Sequence, residues 1–185
     1  MKKLLILFLT ILISVALAGI FGIVHDQITY TICPEYYTKF KFAQFSLNDI
    51  GNVAIMPNPR LRVAVVGFLA TWWVGKYIGI VLGIIGLIFL DHKKMFKAIL
   101  NALLLTFCVT CITAFIGFLY GKFHLTKTGV NWWLPDNLID KNSFITVGSI
   151  HNFSYLGGAI GLLIAVIYLM LKNRSQRKEL LAISS

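Results

Sequence analysis

A handful of ionisable residues in an otherwise apolar chain have the chemistry to do more than hold a fold. His25, Asp26, Glu35 and His151 are of the types that ligate a divalent metal or exchange protons. Lys76 is a cation able to hold an anion such as a lipid phosphate. Asn152 and Tyr155 follow His151 closely enough to add hydrogen-bonding groups beside it. An ionisable group inside a membrane span costs about 2.5–3.5 kcal/mol on insertion scales, so it usually faces a partner or a wet cavity. Together these residues predict a polar ligand site, with His25, Asp26, Glu35 and His151 as candidate metal ligands. Each also has a plainer role. Lys76 can snorkel to the interface beside Trp72, or pair with Asp26 or Glu35. His25-Asp26 can cap a helix, His151 can bond a nearby carbonyl, and Tyr155 and Tyr36-Tyr37 are common at interfaces.

The elements that position these residues follow from composition. With 58% hydrophobic residues, a mean hydropathy of +0.81 and 13% charged residues, the 185-residue chain lacks the polar surface of a soluble globule. It needs lipid to cover it. A hydrocarbon core about 30 Å thick takes roughly 20 apolar residues in a helix. Stretches at about 4–24, 61–90, 98–120 and 144–171 meet that length. They predict an all-α, single-domain, four-helix membrane bundle with outer loops at 25–60 and 121–143 and a tail at 172–185. Met1-Lys2-Lys3 with Ala16-Leu17-Ala18 imitates a cleavable signal, but the apolar run continues to Val24, which favours a retained span.

Short segments rich in Lys and Arg resist translocation. Lys2 and Lys3, then Lys93, Lys94 and Lys97, then Lys172, Arg174, Arg177 and Lys178 crowd one side, predicting both termini in the cytoplasm. The net charge of +10 therefore reflects topology and anionic lipid contact, and no nucleic-acid partner is expected. The tail from Asn173 is expected to form a short surface helix.

Gly67, Thr71, Gly75, Gly79 and Gly83 recur every four residues, laying a stripe of small side chains along the second span. Weaker versions are Gly117 with Gly121 and Gly157 with Gly161. Packing within the chain is the expected use, with a homo-oligomer or membrane-protein partner as the alternative. The second span exceeds the bilayer, and Trp72 and Trp73 suit its outer boundary, leaving 61–70 outside lipid. That apolar extension predicts a packed extracytoplasmic cap built from the outer loops. Within the first loop, alternation over 27–33 predicts a short β segment, and Pro34-Glu35-Tyr36-Tyr37 predicts a first helical turn.

The segments His25-Asp26-Gln27-Ile28-Thr29, Pro34-Glu35-Tyr36-Tyr37-Thr38-Lys39-Phe40-Lys41-Phe42, Ala70-Thr71-Trp72-Trp73-Val74-Gly75 and His151-Asn152-Phe153-Ser154-Tyr155 together resemble a functionally uncharacterised family of small four-span bacterial inner-membrane proteins. The resemblance implies that membrane setting and no activity.

Cys108-Val109-Thr110-Cys111 is a C-x-x-C, yet it falls roughly 14–18 Å along the third span from Tyr120, where a thiolate is poorly solvated. Cys33 alone occupies the outer loop, so packing cysteines are expected rather than thiol exchange. Phosphate loops, H-E-x-x-H and G-x-S-x-G motifs are absent from the sequence. Three functions remain: a membrane-embedded site for a polar ligand, lipid headgroup or divalent metal; a scaffold subunit using the glycine faces; and a solute pathway.

Overall fold

The computed structural model describes residues 1–49 and 54–184. It is helical throughout its regular structure, with no strand among the described residues. Among the described residues four helices are long and apolar enough to cross a bilayer, which makes this a multi-pass membrane protein. They are α1 (Lys2–Ile32), α4 (Pro59–Gly86), α5 (His92–Tyr120) and α7 (Lys141–Ser184). Between α1 and α4 the chain makes α2 (Pro34–Tyr36), a π-helical turn (Tyr37–Lys41) and α3 (Phe42–Gln44). Beyond α5 a second π-helical turn (Gly121–Leu125) and α6 (Thr126–Thr128) prolong the same rod.

Local chemistry sets the starts of three of these helices. Asn58 accepts from the Arg60 amide at 2.9 Å and stands before Pro59, a residue pre-organised for a first helical position. Asp91 accepts from the Lys94 amide at 2.8 Å, and Asp140 from the Ser143 amide at 2.9 Å. These backbone donors hold both carboxyls below their ordinary pKa.

The expected β segment at 27–33 is instead the last turn and a half of α1. A lone strand at the membrane boundary would leave backbone groups unpaired, whereas continuing the helix satisfies them. The β-branched residues adapt by bonding back along the helix: Thr29 Oγ1 donates to the His25 carbonyl at 3.1 Å and Thr31 Oγ1 to that of Gln27 at 3.0 Å. The tail is likewise no separate helix, since α7 runs on unbroken to Ser184.

Packing divides the bundle into two tight pairs, α1 with α4 and α5 with α7, that touch each other far less. The glycine stripe explains the first pair. A Cβ on Gly67 would fall on the Gly22 backbone, one on Gly75 on the Ser14 carbonyl, and one on Gly79 within 2.8 Å of the Ile11 Cα. Thr71 Oγ1 crosses the contact to the Ala18 carbonyl at 2.7 Å. In the second pair Gly117 meets Phe153, Gly157 meets Thr113 and Gly161 meets Thr106. The glycine faces are thus occupied within the chain.

The bundle ends differ. At one, Lys3 Nζ reaches the Leu87 carbonyl at 3.4 Å and Arg177 Nη2 the Ile88 carbonyl at 3.3 Å, so the cation-rich segments converge. At the other, residues 33–47 fold over the helix ends as a cap. Tyr36, Tyr37, Phe42 and Leu47 bury Val63 and Val66 of the α4 extension together with Phe144 and Val147 of α7. Arg60 fastens α4 to α1 through Gln27 Oε1 at 3.0 Å and Thr31 Oγ1 at 3.2 Å.

Candidate functional site

The seam between the two helix pairs is a cleft, and its polar head lies directly beneath the cap. Asp26 projects from α1 into this head and is only 3% exposed. Its Oδ1 is 3.0 Å from His25 Nδ1 and 3.3 Å from His151 Nε2 across the seam on α7. The His25 and His151 rings meet edge to face, with centroids 4.8 Å apart.

Each imidazole has one nitrogen fixed from outside the cluster. His151 Nδ1 lies 2.9 Å from the Val147 carbonyl, an oxygen that can only accept, so the N–H is at Nδ1 and a lone pair at Nε2 when the ring is neutral. His25 Nε2 lies 3.0 Å from Ser154 Oγ, whose own hydrogen is directed at the Ile150 carbonyl at 2.8 Å. Ser154 therefore accepts from His25. The 3.3 Å approach of His151 Nε2 to Asp26 is close enough for a hydrogen bond but poorly aligned for one, and the atom is left unsatisfied, as is Asp26 Oδ2. Two such atoms, buried without hydrogen-bond partners on adjoining side chains, are uncommon in native structures.

Aromatic residues of the cap close the outer side. Tyr36 stacks on the His151 ring at 4.8 Å, and the Tyr37 hydroxyl meets Thr29 Oγ1 at 2.6 Å. Burial pushes both phenols far above their usual pKa, and the nearby Asp26 charge adds to the shift. Lys41 is only 7% exposed; its Nζ donates to Gln44 Oε1 at 3.1 Å and sits 5.4 Å from the Phe40 ring centre. Burial lowers its pKa, partly opposed by attraction to Asp26.

Below the polar head the cleft becomes apolar, and head and cleft together hold about 110 Å³ of open space. Its walls include Leu17, Phe21, Val74, Leu103 and Phe107, and it descends to Ser14. His25 stands eleven positions beyond Ser14 on α1, about 17 Å of helix and close to the depth of one leaflet. Leu17, Phe107 and Tyr155 line the cleft and are also exposed on the bundle perimeter, so it opens sideways.

Of the sequence candidates, His25, Asp26 and His151 come together, and Tyr155 lines the cleft with its hydroxyl donating to the Ala70 carbonyl at 3.1 Å. Glu35 does not join them. Its carboxylate pairs with Lys39 Nζ at 2.7 Å and accepts from the amides of Ile139 and Asp140, clamping the second loop to the cap. Lys76 and Asn152 are both exposed and outside the cleft. Tyr36, Tyr37, Ser154 and Lys41 complete the surroundings; Ser154 carries the one legible signal, three residues after His151 on the same helix face. Cys108 and Cys111 are free and exposed along α5, and Cys33 is buried in the cap, where desolvation raises its pKa.

The fold and site define a multi-pass four-helix membrane protein with a capped polar cluster at the head of a lateral cleft. Comparison with protein-family models, curated proteins and solved structures gives no match.

Proposed function

We propose that the protein binds a single-chain amphipath from the membrane, its polar end at His25, Asp26 and His151 and its hydrocarbon in the cleft. The observation that carries this reading is the joining of a buried polar cluster to a sideways-open apolar cleft one leaflet deep. The cap covers the cluster from the water side, so a membrane-dissolved ligand has the shorter route in. By the density of Lys and Arg at the opposite end, the site lies at the extracytoplasmic boundary, both termini are cytoplasmic, and the setting is a bacterial inner membrane. The scaffold alternative loses its main support, because the glycine faces it would use are filled by neighbouring helices of the same chain.

Gly158 supplies the test. It lines the cleft, and a Cβ there would meet nothing within 4 Å, so Gly158→Leu fills the space without disturbing the helices. The probe is lysophosphatidylglycerol with a mid-chain diazirine, in phosphatidylethanolamine vesicles. Wild-type protein should be labelled at Phe21 and Phe107, and the variant at least about tenfold less, near the loss expected when binding worth about 1.4 kcal/mol is removed. Equal labelling of both proteins, or labelling spread around the perimeter, would remove the proposal.

A further inference from the structure

We infer that His25, Asp26 and His151 bind one divalent transition-metal ion, with an open coordination position facing the cleft. The inference deepens the reading above by assigning chemistry to the same polar head, and it stands on its own geometry. Among the described residues this trio is the group whose ligand atoms all fall within 4.8 Å of one another.

The spacing fits an ion. Two donors each about 2.05 Å from a tetrahedral zinc stand about 3.3 Å apart. Here the two edges that share Asp26 Oδ1 measure 3.0 Å to His25 Nδ1 and 3.3 Å to His151 Nε2. The third edge is no longer than 4.8 Å, so a closure of at most about 1.5 Å brings all three donors to zinc spacing.

The outer contacts fit as well. A metal-bound imidazole normally donates its second N–H to a fixed oxygen, which sets the tautomer and the ring orientation. Val147 provides that oxygen for His151 Nδ1, and Ser154 provides it for His25 Nε2. The nitrogens left over are the two that face Asp26. His151 Nε2 and Asp26 Oδ2 lack hydrogen-bond partners, and a cation would satisfy the former and draw on the carboxylate. It would also balance a carboxylate that the bundle and cap remove from water.

Two imidazoles and one carboxylate suit zinc or a neighbouring first-row divalent ion better than magnesium or calcium, which prefer all-oxygen shells. Three protein ligands leave a fourth position free in a tetrahedral shell. Since the three residues line the head of the cleft, that position can take water or an anionic oxygen of a bound amphipath.

The test uses the full-length protein in detergent, stripped with EDTA and titrated with Zn²⁺ and Co²⁺. The expected result is one equivalent bound per chain, a rise in Tm, and a Co²⁺ visible spectrum without a thiolate charge-transfer band. His151→Ala should weaken Zn²⁺ binding by at least about a hundredfold, a difference near 2.7 kcal/mol. His25→Ala, judged by the same titration, guards against a single misfolded variant. Absence of stoichiometric binding by wild type overturns the inference, as does unchanged affinity in both variants or a thiolate band from the cysteines. Loss of metal binding with Gly158-sensitive lipid labelling intact sinks the metal alone; the reverse pattern sinks the amphipath alone.

Discussion

His25, Asp26 and His151 were legible because ionisable groups in apolar spans are conspicuous, and counting residues along a helix gives their depth. Direction around the helix was harder to read. Glu35, Lys76 and Asn152 each stand next to a residue that does face inward: Tyr36 on the His151 ring, Gly75 against α1, and His151 itself. One residue turns a helix by about 100°, so a neighbour at the right depth points elsewhere. Lys41 was invisible for another reason, since its burial depends on the cap folding back. The charge at Asp26 carries a prediction of its own. Asp26→Ala removes the buried carboxylate that both imidazoles face and leaves a void between them, and should cost about 3 kcal/mol. Asp26→Asn should cost less, because a carboxamide N–H can donate to the Nε2 lone pair of His151. Thermal unfolding in detergent checks the order; an Asn variant as unstable as the Ala variant would contradict the assigned tautomer.

At the scale of elements, the short turns of the cap are held by particular contacts rather than by length. A helix of three residues has almost no intrinsic stability. Glu35 is the principal fastening between the two loops. Lys39, followed by the Asp140 and Ile139 amides, lowers its pKa from an ordinary value of 4.5 to about 2. A depressed carboxyl contributes its full stabilisation above its unfolded pKa and loses it as pH falls through the folded one. The loop should therefore stay docked at neutral pH and loosen between about 4.5 and 2. Tryptophan fluorescence should report this, since Trp133 packs near Phe40 with ring centres 6.2 Å apart. Glu35→Gln should bring the loosened signal to pH 7; a flat pH response in the wild type would contradict the clamp. The need for a cap was readable from an apolar helix extension that lipid could not cover. The π-helical turn at Tyr37–Lys41 was not, because it arises from tertiary packing and leaves no periodic trace.

For the whole molecule, four apolar stretches of sufficient length sufficed to read an all-α bundle, and the glycine stripe marked a close helix contact. Its partner, α1, became clear only in three dimensions, as did the division into two pairs and the cleft between them. Orientation is testable at this scale. Asn48 lies in the cap region and Lys178 beyond the opposite end, both exposed. With a membrane-impermeant maleimide, Asn48→Cys should react in right-side-out vesicles and Lys178→Cys only in inverted ones; the opposite pattern would invert the proposed topology. The sideways mouth of the cleft has a further consequence for anyone measuring affinity. A ligand that arrives through hydrocarbon is governed by its mole fraction in that phase, not by its molarity in buffer. Half-saturation, expressed in micromolar units, should therefore climb in proportion to the amount of detergent, while the surface fraction needed stays constant.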